Sequence, residues 1–285
     1  KHPFLRTSMR KVKLDEIGYW SEIKLDIVKK YATEYSFIIN KQQNIQQHLY
    51  IDGFAGAGVH ISKQTKEYIL GSPLNALNVE PPFKEFHFID LDGGKADMLR
   101  KICVNYRNVN IYEGDCNELL LKTIFPRAKW SDYRRALCLL DPYGLHLNWE
   151  VVKIAGEMKS VEIFLNFPVM DMNMNVFWRN PEKVDTSQLE RMNAFWGDDS
   201  WRNVAYTKSK GLFCDIEEKT SIEDIVKAYQ GKLEKVAGFT YVPDPIPMRN
   251  SKGAIVYYLF FASPNRTGAK IVKWIFDKYR YKGSV

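Results

Sequence analysis

The residues best placed to do chemistry in this chain are four aspartates, Asp52, Asp90, Asp115 and Asp141, each near the end of an apolar run. The first closes the run Leu49-Tyr50-Ile51 and opens the turn Gly53-Phe54-Ala55-Gly56-Ala57-Gly58. Glycine permits turns and close backbone approaches that a side chain forbids. Open α/β sheets bind ligands at the carboxyl ends of their strands, so a glycine-rich turn there predicts an adenosine-containing cofactor. An ordinary tight turn is the other reading of such a loop; the ordered acids that follow favour the ligand. An acid at the end of a second strand accepts from ribose hydroxyls in dinucleotide folds. Asp90 takes that place, with Asp92 as runner-up and a helix cap as the alternative role of Asp92. The glycine spacing differs from the fingerprint of dinucleotide oxidoreductases.

These acids need elements to carry them. Residues 14–40 read as one or two helices, with Trp20, Ile23, Ile27, Val28 and Tyr31 on one face and Ser21, Lys24, Lys29 and Lys30 on the other. Strands are expected at 48–52, 86–90, 109–112, 136–140 and 161–165, alternating with helices. Residues 59–71 read as a loop insertion, and Ser72-Pro73 as the cap and first residue of a helix. Ala96, Leu99 and Ile102 form the inward face of a further helix. Residues 169–220 lack a strong period and read as a loop-rich insertion with a short helix near 187–196. A helix over 221–236, capped by Ser221, precedes two strands, 239–247 and 254–262, in an antiparallel hairpin, and a helix over 267–279 ends the chain. Alternating short apolar strands and helices imply parallel βαβ units. The fold class is α/β: a Rossmann-like, seven-stranded, mostly parallel sheet with a C-terminal antiparallel hairpin and helices on both faces. One domain is expected over residues 1–285. Its parts are a helical extension (1–45), a cofactor-binding core (46–168), the insertion (169–220) and a helix-hairpin-helix (221–285).

Composition bounds the function. The chain has 285 residues, a formal net charge of +7 and ordinary apolar content, enough for a core without disulfides or metals. Its basic balance is compatible with a polyanionic partner. Basic clusters stand at Arg6–Lys13, Lys29-Lys30, Arg134-Arg135 and Lys270–Lys282; they read as solvated surface or, if gathered in space, as a phosphate track. The four cysteines and five histidines show no metal-site spacing, so no metal is expected; His87 reads as structural, and a base role for His146 is open. Cysteine usage points to a reducing cytoplasm, and no run approaches the length of a membrane span.

Five segments, in order, carry a resemblance. They are Gly18-Tyr19-Trp20-Ser21-Glu22-Ile23-Lys24, the Asp52–Gly58 turn, Gly71-Ser72-Pro73, Phe88-Ile89-Asp90 and Asp141-Pro142-Tyr143-Gly144, with the hairpin following. The pattern resembles class I S-adenosylmethionine-dependent methyltransferases, in which a seven-stranded sheet ends in a hairpin with its last strand inserted antiparallel. More narrowly, it is similar to the three-Cys-motif partner protein family, whose partner carries the cysteines. The resemblance implies S-adenosylmethionine as cofactor. Backbone groups around Gly53, Phe54, Ala55, Gly56 and Gly58 would then reach its amino-acid end, and Asp52 its ammonium. Asp90 would accept from the ribose. Asp115 would accept from the adenine amino group, with the Cys116 N–H near the ring; a solvated turn acid is the other reading of Asp115.

Asp141-Pro142-Tyr143-Gly144 resembles the Asp/Asn-Pro-Pro-Tyr/Phe signature of amino-methyltransferases, with one proline missing. There the acid and the following proline carbonyl accept from a planar amine, and the aromatic stacks on the base. The resemblance therefore gives Asp141, Pro142 and Tyr143 catalytic roles; a βα turn with Asp141 as a cap is the alternative. Asn166, Pro168 and Trp178 are candidates for substrate contact, and Met170–Trp178 for a lid or platform, with Phe177, Trp178 and Arg179 joining aromatics to a cation. The expected activity is methyl transfer to an amine of a nucleic-acid base, in RNA or DNA. Rival readings are a noncatalytic subunit beside a protein with a three-cysteine motif, and a small-molecule or protein methyltransferase.

Overall fold

The structure, a computed structural model, describes residues 12–210 and 215–280. Its central sheet has seven strands: β1 (Gln47–Asp52), β2 (Glu85–Asp90), β3 (Val109–Glu113), β4 (Arg134–Leu140), β5 (Val161–Phe167), β6 (Ile246–Arg249) and β7 (Ile255–Ala262). They lie in the order β6-β7-β5-β4-β1-β2-β3. Strands β1 to β5 are parallel, and β7 runs antiparallel between β5 and β6. The expected sheet, with its inserted final strand, is therefore present.

Alternation of side chains gives the sheet two apolar faces. Leu49 and Ile51 of β1, with Ala136, Cys138 and Leu140 of β4, join one buried cluster. Tyr50 of β1, with Leu137 and Leu139 of β4, joins the other. Ten helices are described: α1 (Tyr19–Asn40), α2 (Ser72–Leu77), α3 (Gly93–Ile102), α4 (Cys116–Leu119), α5 (Trp149–Met158), α6 (Val169–Asn175), α7 (Thr186–Trp196), α8 (Trp201–Ala205), α9 (Ile222–Lys235) and α10 (Arg266–Arg280). Residues of α5, α7 and α9 line the first cluster, and residues of α1 and α10 the second, so helices cover both faces. Asp92 caps α3 by accepting from the Gly94 and Lys95 amides, and the Ser221 hydroxyl accepts from the Asp224 amide at the start of α9.

Several expectations change. Residues 59–71 are not a loop: Val59–Ser62 pairs antiparallel with Tyr68–Leu70 and parallel with Glu16–Ile17. No local period marks these short strands, because distant backbone pairing forms them. Residues 169–220 contain three helices and a hairpin of Tyr206–Lys210 with Asp215–Lys219. Met172, Phe177, Phe195, Trp196 and Trp201 bury this segment into the first cluster. Of 239–247 only Ile246 and Pro247 pair with β7, in a strand that runs on to Arg249; Tyr241 makes a lone bridge to Ser263. On α3 the inward residues are Ala96 and Leu99, while Ile102 is exposed and Cys103 is buried in its place. Gly71 caps α2, and Ser72 is its first residue, which frees the Ser72 hydroxyl for another task.

Candidate active site

Because β4, β1, β2 and β3 are adjacent and parallel, Asp141, Asp52, Asp90 and Asp115 stand at one edge of the sheet. At about 4.8 Å per strand, four neighbouring tips span about 14 Å. Asp52 has the parity of Tyr50 and so faces the α1 side. Its Oδ1 accepts from the Phe54 amide at 3.1 Å, while Oδ2 is buried with no hydrogen-bond partner among the described residues. Burial pushes its carboxyl up to about 7, against the pull of the Ser72 hydroxyl and the Phe54 amide.

The turn after Asp52 is fixed from inside. Gly53 N–H donates to the Leu139 carbonyl, Ala55 N–H to the Ile89 carbonyl, and Gly56 N–H to Asp90 Oδ2 at 2.8 Å. Gly56 and Gly58 adopt φ of 64° and 81°, the left-handed region that glycine reaches without strain. A Cβ on Gly58 would also lie 2.8 Å from Leu99 Cδ1. Asp90 Oδ1 accepts from Asp92 N–H at 2.8 Å, so the acid that ends β2 braces the turn that follows β1. Asp92 serves as the cap of α3 instead. Asp115 caps α4 through the Asn117 amide at 2.8 Å. Asn117 in turn donates to the His146 carbonyl and accepts from Asn148 N–H, tying the tip of β3 to the segment after β4. Cys116 is buried beside Asp115, and burial pushes its thiol up to about 12.

The sequence expectation for Lys24 is reversed. Lys24 is on the buried face of α1, 6% exposed, and its ammonium donates to Asp141 Oδ2. Burial works against the ammonium, but the charge and hydrogen bond of Asp141, with Tyr257 and Asp52, together outweigh it and hold Lys24 above the ordinary lysine range. The ammonium also lies 5.3 Å from the centre of the Tyr257 ring. A usable signal was present: Lys24 precedes Ile27 and Val28 by three and four residues, which puts it on their face of a helix. Asn166 of β5 shares the parity of Phe164 and is buried, with Oδ1 unpaired among the described residues. Tyr257, Asn166, Asp141 and Asp52 thus form a polar row along the C-terminal edge of neighbouring strands, beneath the start of α1.

Outside that row, Tyr143 is 92% exposed, beside Pro142, which is buried. Pro168 is buried and caps α6, linking β5 to the helix that packs on the turn. A Cβ on Gly144, at φ 68°, would lie 3.0 Å from Asp171 Oδ2 and 3.2 Å from Arg191 Nη2. Arg191 and Asp171 pair at 3.7 Å, and Arg191 Nη2 is 3.4 Å from His146 Nε2. Met174 and Trp178 are exposed nearby in sequence on and after α6, whereas Phe177 is buried and is no part of a platform. Arg134-Arg135 begin β4 at the opposite edge, where Arg134 pairs with Glu85 and Arg135 covers Trp130. His87 is buried and stacked on Tyr112. The cluster Arg6–Lys13 lies, apart from its last two residues, outside the described residues, as do Lys282 and Cys214. A cavity of about 320 Å³ between Val242–Asp244 and α10 lies toward the opposite edge, where Tyr241 meets Ser263 after β7. Among the described residues, no group of three or more His, Cys, Asp or Glu side chains is placed to hold a metal, and no helix is long and apolar enough to cross a membrane.

No family model and no curated protein matches the chain. Solved structures do. Protein LPL1258 from Legionella pneumophila is 12% identical, with 91% of this chain and 93% of that one covered and a TM-score of 0.51. Trm1 from Pyrococcus horikoshii, solved with S-adenosyl-L-methionine, is also 12% identical; the match covers 90% of this chain and 58% of that one, with a TM-score of 0.44. At such identities the likeness is one of fold. Strand order and the inserted β7 decide which. The chain has the class I methyltransferase fold.

Proposed function

We propose that this chain binds S-adenosylmethionine at the acid edge and directs methyl transfer to an exocyclic amine of a nucleic-acid base. The observation that carries the reading is the row of acids on four adjacent parallel tips, with Asp141 beside the exposed Tyr143. The donor set fits the cofactor. Buried Asp52 Oδ2 has no partner among the described residues and suits an ammonium, and the carboxylates of Asp90 and Asp115, which already accept from backbone amides, have remaining acceptor capacity for hydroxyl and amino donors. Glycines at 56 and 58 keep side chains off the turn.

When bound, the cofactor supplies an electrophilic methyl group on a cationic sulfur. The chain's own work is alignment, which supplies most of the rate in a displacement of this kind. Asp141 and the Pro142 carbonyl accept from the amine N–H groups and orient the nitrogen lone pair. Tyr143 stacks on the base, worth about 1–3 kcal/mol. Asp141 or a water it orients receives the proton that the amine loses. Membership of the three-Cys-motif partner family is part of this reading. Its support is that Gly18–Lys24, the glycine turn, Gly71–Pro73, Asp90 and Asp141 adjoin one another although they are far apart in sequence. A cytoplasmic site of action goes with it.

The test is a tritiated-methyl transfer assay on RNA, DNA and protein fractions, paired with calorimetry. Asp90→Ala should abolish cofactor binding; Asp141→Ala should keep binding and lose transfer. Methylation by Asp141→Ala at the wild-type rate would reject the role of that turn.

One observation favours a second reading, in which the chain is a cofactor-binding but noncatalytic subunit beside a three-cysteine protein. The Lys24 ammonium already occupies an acceptor oxygen of Asp141. Binding of S-adenosylmethionine without transfer to any fraction, alone or with such a partner added, would select it.

A further inference from the structure

The glycine turn has few N–H groups to offer a ligand. Those of Gly53, Phe54, Ala55 and Gly56 are spent on Leu139, Asp52, Ile89 and Asp90. An amino-acid ligand nevertheless brings a carboxylate, which needs donors. Directly after the turn, the strand Val59–Ser62 carries His60 back across it. The His60 ring lies between two glycines: Cε1 is 3.8 Å from the position of a Cβ on Gly56, and Nε2 is 3.2 Å from one on Gly71. His60 Nδ1 is buried and finds no hydrogen-bond partner among the described residues. An unpaired buried polar atom is costly to keep, so its retention calls for an external partner.

The strand that bears it is anchored. Ile61 N–H donates to the Asp15 carbonyl at 3.0 Å, Lys63 N–H to the Ile17 carbonyl at 2.9 Å, and the Ser62 hydroxyl to Glu22 on α1 at 2.8 Å. Lys24 and Asp141 are among the charges that act on the ring, so it shares the surroundings of the polar row. Burial holds the imidazole below its ordinary range. It is therefore neutral near pH 7, with one N–H to give.

We infer that His60 binds the carboxylate of the amino-acid end of S-adenosylmethionine, donating from Nδ1. This rests on the cofactor reading above. Asp52 takes the ammonium and His60 the carboxylate, one on each side of the glycine turn.

Calorimetry on the full chain tests it with three ligands: S-adenosylhomocysteine, decarboxylated S-adenosylmethionine and 5′-methylthioadenosine. The last two lack the carboxylate. His60→Ala should weaken S-adenosylhomocysteine about tenfold or more, and leave the other two within about twofold of wild type. His60→Asn, which keeps an N–H donor, should recover part of the loss. Unchanged affinity of His60→Ala for S-adenosylhomocysteine overturns the assignment and leaves the cofactor reading standing. An equal loss for all three ligands also overturns it, because a damaged fold does not distinguish them. Failure of the wild-type chain to bind any of the three removes the cofactor reading itself.

Discussion

Two acids at the edge are governed by opposite environments. Asp141 has a counter-ion at hand, and Lys24 stays charged in the interior because of it. Removing one partner of such a pair strands the other, at a cost of about 3 kcal/mol when the geometry is close. Lys24→Met should therefore destabilise the chain by about that amount in urea unfolding, and Lys24→Met with Asp141→Asn should recover most of it. If the double variant is as unstable as the single, the pair is not the source. Asp52 lacks a full partner, and burial puts its carboxyl near 7. Only the carboxylate attracts an ammonium, so affinity for S-adenosylmethionine should rise as pH increases from 6 to 8 and fall as pH drops through the Asp52 value. Asp52→Asn should bind more weakly and show a flat profile over that range. A wild-type affinity that does not change with pH would remove Asp52 from the ammonium site.

At the scale of elements, the strands that carry the acids were legible because continuous apolar runs end abruptly in Asp or Asn. The observed β2 and β5 match the expected runs to within one or two residues. The cap at Asp92 and the Ser221–Asp224 start of α9 were legible from residue type alone. What sequence left obscure is what distant contacts create. His60 was hidden in a polar stretch whose strand exists through pairing with Glu16–Ile17. Lys24 looked solvent-facing because lysine is rarely buried unless paired, and its partner lies at sequence distance 117. The same packing of α1 on the sheet buries Glu162 of β5, where it accepts from the Tyr31 hydroxyl. Burial pushes the Glu162 carboxyl from 4.5 to about 7. The folded chain thus keeps a proton that the unfolded chain releases between these values. This contribution to stability is whole below about 4.5 and is lost as pH rises toward 7, on the order of 3 kcal/mol across the window. Glu162→Gln should be more stable than wild type at pH 7 to 8 and should show a shallower decline in chemical denaturation between pH 5 and 7. Asp52 acts in the same direction, so some decline should persist. A slope identical to wild type would place the titrating group elsewhere.

Across the whole molecule, the net charge of +7 does not by itself locate a polyanion. Several cations are engaged away from the acid edge: Arg134 with Glu85, Arg135 over Trp130, Lys30 with Asp26 and Lys278 over Trp274. What remains close to Asp141 is different in kind. Exposed Tyr143 stands next to Gly144, where Arg191 approaches, and α6 leads from there to exposed Met174 and Trp178. The Lys219 ammonium sits on the same helix through Asn173. Aromatic faces with interspersed cations suit a single strand, because every base can stack and each phosphate needs one positive group. If the substrate is a single-stranded nucleic acid lying on this surface, two substitutions should separate the two contributions. Trp178→Ala should weaken binding about tenfold or more at every salt concentration, as a lost stacking partner does. Arg191→Ala should weaken it most at low salt and reduce the salt slope by about 0.7, the loss of one phosphate contact on a single strand. Arg135→Gln removes the same charge from the opposite edge and should change neither affinity nor slope. Fluorescence anisotropy of a labelled oligonucleotide over a salt series measures all three. If Arg135→Gln lowers the slope as much as Arg191→Ala does, the strand is held by diffuse charge rather than by the surface beside Asp141, and the substrate must reach the acid edge by another route.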